Sequence, residues 1–134
     1  MNKDYVDYQT ALALKECGFD EPCDHCYAKT SHSEHEFVGM TTSRDYNKPR
    51  DGEPPFLSPI CSAPLLYHAQ KWLREVKGLY AYPEINALKK WFARVIDLND
   101  NEELLMDGAM FNTYEEAQSH AIKCALQFID NREI

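Results

Sequence analysis

The sequence lacks the features that would assign it to a membrane or to a common enzyme class. Its 134 residues contain no apolar run near the roughly 18 residues that suggest a transmembrane helix. The first residues carry no hydrophobic signal region, so we expect no Sec export. Glycine-rich phosphate and dinucleotide loops, the nucleophile elbow and the H-E-x-x-H motif are all missing. The sequence therefore predicts no catalytic and no cofactor-binding residue.

Basic residues are also scarce. The chain has 14 Lys and Arg against 22 Asp and Glu, which gives a formal net charge of −8 at pH 7. An acidic protein repels both nucleic-acid backbones and anionic lipid surfaces. We therefore expect no nucleic-acid partner and no membrane partner.

The cysteines are odd in number and do not suggest a disulfide framework. They are Cys17, Cys23, Cys26, Cys61 and Cys124. An odd count without an export signal favours reduced thiols, because disulfides persist in oxidising compartments. We expect a cytoplasmic protein.

The chain begins with a short helix pattern, over about residues 7–17. Asp7 suits the N-cap position, and Gly18 suits the left-handed cap at the other end. Phe19 can then fold back on Leu14, as in a Schellman motif. We assign residues 1–28 to this N-terminal helix and its turn.

The segment 29–61 reads as a long irregular loop. It is rich in proline and polar residues, and only Phe37-Val38 and Met40 indicate a strand. Long loops without secondary structure are uncommon in compact domains, and many are functional. An enzyme site in this loop is a third functional class, although no motif supports it.

Residues 62–134 carry the clearest fold signal. Ser62 suits an N-cap, and a helix over 63–77 would bury one stripe. The members of this stripe are Leu65, Leu66, Ala69, Trp72, Leu73 and Val76. Strands are predicted over 79–85 and 91–98, and 104–106 is a short third strand. Because Pro83 has no amide donor, the strand over 79–85 should lie at an edge or carry a break.

The last predicted helix covers 113–130. Thr113 and Glu116 form a T-x-x-E capping box, a specific start signal. Together these elements predict one α+β domain over 1–134. Its core would be a two- or three-stranded antiparallel sheet packed by two helices, in the order α-β-β-(β)-α.

Three stretches of the chain resemble a group of small uncharacterised proteins from Bacteroides-group gut bacteria and their phages. They are 14–23 (LKECGFDEPC), 69–75 (AQKWLRE) and 111–117 (FNTYEEA). The group has no established activity, so the resemblance implies a bacterial or phage context and no mechanism.

The order of elements in residues 62–134 is similar in topology to the double-stranded-RNA-binding domain. That family binds phosphates with lysines at the start of its last helix, where this chain has Tyr114, Glu115 and Glu116. Carboxylates at that helix end repel phosphate. Nucleic-acid binding is thus an alternative that the charges disfavour.

A Cys/His segment is the sharpest chemical signal. Cys23 and Cys26 form a C-x-x-C pair, and His32 and His35 follow. Zinc takes four such ligands in a tetrahedron, so these residues are a candidate metal site, with Cys61 as a further ligand. The alternative is that the cysteines are buried structural residues and the histidines lie in a polar loop. A redox pair is disfavoured, since no helix begins at Cys26.

The aromatic residues of the predicted strands are candidates for a binding surface. Tyr80, Tyr82 and Trp91 would contact a protein partner if they were exposed. The sequence thus predicts a non-enzymatic interaction or accessory protein, with a small zinc-binding protein as the alternative. It identifies neither the partner nor the oligomeric state.

Overall fold

The computed structural model describes residues 3–54, 56–105 and 107–132. Within these residues it contains three helices and two antiparallel sheets, which confirms the predicted α+β class. The chain divides into two compact units, Met1–Leu65 and Leu66–Ile134. The single domain over 1–134 stays a prediction, and each unit is described by itself below.

The first helix, α1, covers Tyr8–Glu16 and has both predicted caps. The Asp7 carboxylate accepts a hydrogen bond of 2.9 Å from the Thr10 amide. Gly18 has a φ of +93°, and the Phe19 amide donates to the Leu14 carbonyl at 3.0 Å. This is the Schellman motif that the sequence predicts, and it directs the Phe19 side chain into the core of the unit.

The segment 29–61 is not an irregular loop, and that prediction is wrong. Strands β1 (Cys23–Thr30), β2 (Glu36–Arg44) and β3 (Leu57–Ser62) form an antiparallel sheet in the order β2-β1-β3. All nine side chains of β2 are exposed or half-buried, so its sequence lacks the alternation of a half-buried strand. Pro59 is tolerated because β3 lies at an edge and its pairing with β1 is irregular beside Ala28.

The segment between β2 and β3 is held to the sheet by side-chain hydrogen bonds. The Tyr46 amide donates to Ser62 Oγ at 2.8 Å, and the Ser62 amide donates to Asn47 Oδ1 at 2.9 Å. Asn47 Nδ2 in turn donates to the Phe19 carbonyl at 2.8 Å. Ser62 therefore ends β3 and is not the N-cap that the sequence suggests.

The second helix, α2, covers Leu66–Val76 and begins three residues later than predicted. Its buried face consists of Leu66, Ala69, Gln70, Trp72 and Leu73. Leu65 and Val76, which the predicted stripe includes, are 41% and 58% exposed. The helix ends before Gly78, whose φ of +69° suits a residue without a side chain.

The second sheet confirms the predicted hairpin. Strands β4 (Leu79–Ile85) and β5 (Trp91–Asp97) are antiparallel, and β4 is the edge strand that Pro83 indicates. Gln70 Nε2 on α2 donates to the Ala81 carbonyl of β4 at 2.9 Å.

The residues that extend the hairpin are not those predicted, 104–106. The pairing segments are β6 (Glu102–Glu103) and β7 (Met110–Phe111), and both pair with β5. Asn101 has a φ of +58°, so the turn is complete there and pairing starts at once. Leu104 follows β6, and Met106 lies outside the described residues.

The last helix, α3, covers Tyr114–Arg132 and begins with the predicted cap. Thr113 Oγ1 accepts from the Glu116 amide at 3.2 Å and donates to the Glu116 carboxylate at 2.8 Å. The helix packs on β4 and β5 through small and aliphatic buried residues: Ala117, Ala121, Ile122, Ala125, Leu126 and Ile129. At its other end Arg132 contacts the Asp97 carboxylate of β5 at 2.7 Å.

Candidate functional site

The structure does not bring the four predicted zinc ligands together. Cys23 and Cys26 are both buried in β1, whereas His32 and His35 belong to the turn between β1 and β2. Only one group of three converging metal-ligand side chains occurs among the described residues, and it contains none of these four. A zinc site at Cys23, Cys26, His32 and His35 stays a prediction, and this arrangement does not favour it.

The environments of these residues suit structural roles. Burial raises the pKa of Cys23 to about 12, of Cys26 to about 11 and of Cys61 to about 12. A buried thiol that keeps its proton is a poor ligand and a poor nucleophile. The ring of His35 stacks on Tyr8, with the two ring centroids 4.1 Å apart and the planes 6° from parallel.

The unit Met1–Leu65 contains a continuous cluster of aromatic and imidazole rings. This aromatic cluster consists of Tyr5, Tyr8, His25, Tyr27, His35 and Phe37. The ring centroids of Tyr8 and Tyr27 are 5.4 Å apart, and those of Tyr27 and Phe37 are 5.5 Å apart. Such separations are typical of favourable aromatic pairs.

The pairing of β1 with β2 builds this cluster. Tyr27 lies opposite Phe37, and His25 lies opposite Gly39. A Cβ on Gly39 would come 3.3 Å from His25 Nε2, so the glycine leaves room for the imidazole ring. The Tyr27 hydroxyl donates to the Val6 carbonyl at 2.7 Å, which fixes that ring within the cluster.

An open groove lies beside the aromatic cluster. It has a volume of about 760 Å³, and its lining residues are Asp7, Tyr8, Gln9, Tyr27, His35, Glu36 and Phe37. This described lining includes two carboxylates and no lysine or arginine. The groove therefore combines the faces and edges of aromatic rings with negative charge.

The predicted interaction residues Tyr80, Tyr82 and Trp91 are only partly brought together. The rings of Tyr80 and Tyr82 stack with centroids 4.4 Å apart, whereas Trp91 packs edge-on against Tyr114 at 5.3 Å. All three are half-buried. Trp91 thus helps to seat the start of α3 on the sheet.

Charged residues accompany the two stacked tyrosines. Arg94, opposite Tyr82 on β5, lies 5.9 Å from the Tyr82 ring centroid. Its guanidinium also contacts Glu84 at 3.0 Å and Glu103 at 2.8 Å. These contacts link three strands of one sheet, so they favour a structural role for this pair of tyrosines.

A second group of chemically active side chains lies on α3, and sequence reasoning missed it. His120 Nε2 is 2.6 Å from Asp107 Oδ2 and 3.6 Å from Cys124 Sγ. The hydrogen bond from His120 lowers the pKa of Asp107, and burial raises the pKa of Cys124. The spacing of His120 and Cys124 on a predicted helix was the available signal.

Comparisons with known proteins add no information on function. No family model, no curated protein and no solved structure matches the chain. None of the helices in the described part of the chain combines the length and the apolar character needed to cross a bilayer.

Proposed function

We propose that this protein is a non-enzymatic interaction protein whose aromatic groove binds an exposed basic segment of a protein partner. The observation that carries the proposal is the groove of about 760 Å³, in which four rings lie beside two carboxylates. Lysine and arginine side chains bind the faces of aromatic rings, and carboxylates add a favourable charge. Aromatic residues also contribute much of the binding energy at protein interfaces.

The charge of the whole chain supports the same kind of partner. A net charge of −8 attracts a basic segment and increases its rate of association. The same charge opposes binding to phosphate backbones, and Glu115 and Glu116 lie in the first turn of α3. We therefore expect no binding of duplex RNA at physiological salt, which an electrophoretic shift assay would check.

We also propose that this interaction takes place in the cytoplasm of a bacterium or a phage-infected cell. The five cysteines, all within the described residues, form no disulfide with one another, as expected in a reducing compartment. The alternative function, zinc binding through Cys23, Cys26, His32 and His35, gains no support from their separate positions.

Selection of peptides from a random display library against the immobilised full chain tests the proposal. We expect enrichment of sequences in which lysine or arginine lies beside an apolar residue. The affinity of one selected peptide is then measured by fluorescence polarisation. Tyr8→Ala and His35→Ala should each weaken binding about tenfold, because each removes a ring from the groove wall.

A matched control uses a tyrosine outside the groove. Tyr67 on α2 is 64% exposed, and Tyr67→Ala should bind the selected peptide like the wild type. Circular dichroism confirms that each variant is folded. Enrichment of acidic peptides, or equal binding by all variants, would contradict the proposed function.

A further inference from the structure

We infer that Asp107, His120 and Cys124 form a binding site for one divalent transition-metal ion, with zinc as the best match. The three side chains offer one carboxylate oxygen, one imidazole nitrogen and one sulfur, all within 4.8 Å of one another. This site is separate from the predicted Cys23–His35 segment and independent of the proposed groove.

The separations of the ligand atoms are close to those of a tetrahedral site. Zinc binds nitrogen and oxygen at about 2.0–2.2 Å and sulfur at about 2.3 Å, so tetrahedral ligands lie roughly 3.3–3.7 Å apart. The distance of 3.6 Å between Cys124 Sγ and His120 Nε2 already fits. Asp107 Oδ2, at 2.6 Å from His120, has to move outward by about 1 Å.

Local structure positions the three ligands before any ion binds. His120 and Cys124 are one helical turn apart on α3, so their side chains share one face of the helix. Asp107 Oδ1 accepts from the Ala109 amide at 3.1 Å, which leaves Oδ2 directed at His120. Gly108, with a φ of +71°, allows the tight turn that this bond closes.

The surroundings hold the His120 ring in place and leave the three side chains open to an ion from solvent. The ring of Phe111 lies 5.1 Å from the His120 ring, measured between centroids, and limits the freedom of the imidazole. The side chains of His120 and Asp107 are 29% and 39% exposed, so an ion can reach them from solvent. The outward movement of Asp107 is therefore not opposed by a packed core.

The chemistry of the three donors selects the class of ion. Thiolate and imidazole suit zinc and cobalt, whereas calcium and magnesium require mainly oxygen ligands. On binding, Cys124 releases its thiol proton to solvent, and His120 Nε2 gives up the proton that it donates to Asp107, which leaves to solvent while Nδ1 carries the remaining ring proton. Three protein ligands leave a fourth position for water.

Titration of the full chain with Co²⁺ tests the inference, because a cysteine thiolate bound to cobalt absorbs in the near ultraviolet. We expect this absorption to saturate at one equivalent and to disappear when Zn²⁺ is added. Cys124→Ser should abolish it. His120→Ala and Asp107→Asn should each weaken Co²⁺ binding at least tenfold.

Cys17→Ser is the matched control, since Cys17 is also a half-buried thiol but lies at the end of α1. It should bind Co²⁺ like the wild type, and circular dichroism verifies the fold of every variant. Absence of the absorption in the wild-type protein would overturn the inference without relying on any variant. Absorption that survives Cys124→Ser but is lost in Cys23→Ser or Cys26→Ser would assign the ion to the other segment and would also overturn it.

Discussion

The two units of the molecule use their aromatic residues differently. In Met1–Leu65 the rings of Tyr5, Tyr8, His25 and Phe37 form a half-exposed layer on a sheet whose edge strand β2 is mostly accessible. In Leu66–Ile134 two helices pack with β4, and the buried side chains of α3 are mainly alanines and aliphatics. Half-exposed rings thus gather on the sheet of the first unit, which is where we propose the recognition surface, whereas alanine and aliphatic side chains fill the contact of α3 with the sheet of the second.

The largest loss of stability is expected when one large buried ring is removed from each unit. Phe19 in the first unit and Trp72 in the second are 2% and 3% exposed. Phe19→Ala and Trp72→Ala should each reduce the free energy of unfolding by roughly 3–5 kcal/mol, because each leaves a cavity. Chemical denaturation followed by circular dichroism measures both effects.

Tyr67→Ala is a control for the loss of a large ring at an exposed position, and it should leave the unfolding midpoint nearly unchanged. If Trp72→Ala behaved like this control, Trp72 would not be a core residue of the second unit. The same reasoning applies to Phe19 and the first unit.

A smaller effect is expected from one hydroxyl of the aromatic cluster. Tyr27→Phe keeps the ring but removes the donor to the buried Val6 carbonyl. Leaving that carbonyl without its partner should cost about 1–3 kcal/mol in the free energy of unfolding. Tyr67→Phe, at an exposed tyrosine, is the control; equal stability of both variants would show that the bond to Val6 contributes nothing.

A similar or smaller effect is expected at the start of α3. Thr113→Ala removes the oxygen that accepts the Glu116 amide, and should cost about 1 kcal/mol. Thr113→Ser keeps that oxygen and should retain most of the wild-type stability in the same urea titration. A midpoint unchanged by the alanine variant would argue that the helix does not depend on this cap.

The smallest expected effect is the loss of stability at low pH that Asp97 contributes. The Asn99 amide, and then Arg132, lower the pKa of Asp97 from its usual 3.8. The unfolded state therefore binds the proton more readily than the folded state does. Ionised Asp97 contributes its full stabilisation of the folded state at pH values above 3.8. This stabilisation is lost as pH falls through the lower folded-state pKa.

The contribution of Asp97 should be at most about 1 kcal/mol, since Arg132 is partly exposed. Urea midpoints measured from neutral pH down to pH 3 should fall less steeply for Asp97→Asn than for the wild type. Asp130→Asn, at an exposed carboxylate of α3, is the control and should follow the wild type. Parallel curves for all three proteins would refute this role of Asp97.

The second unit could be predicted from the sequence because its signals are local. Thr113 and Glu116 are three residues apart and mark the start of α3 without any knowledge of its neighbours. The strands that contain Pro83 and Val95 are rich in aromatic and β-branched residues, so the sequence predicts both β4 and β5.

The first unit could not be predicted because its strands depend on distant partners. Ser62 resembles a helix cap, yet its hydroxyl accepts from Tyr46, and only the folded chain brings them together. The proline-rich composition near Pro59 suggests a loop, whereas the irregular pairing at that edge accommodates the ring.

The candidate sites show the same division. The spacing of His120 and Cys124 is visible in a predicted helix, but Asp107 reaches them from a loop whose path the sequence does not reveal. The aromatic groove was missed because Tyr8 and His35 come from separate elements.

The bond from Gln70 to Ala81 has a consequence for the behaviour of the protein at high concentration. An open edge strand can pair with a strand of another copy and so start aggregation. On β4, Gln70 occupies the Ala81 carbonyl, and Pro83 has no amide hydrogen to offer. The β4 edge of the second sheet is therefore a poor template for strand addition, which hinders another copy of the chain from pairing at this edge.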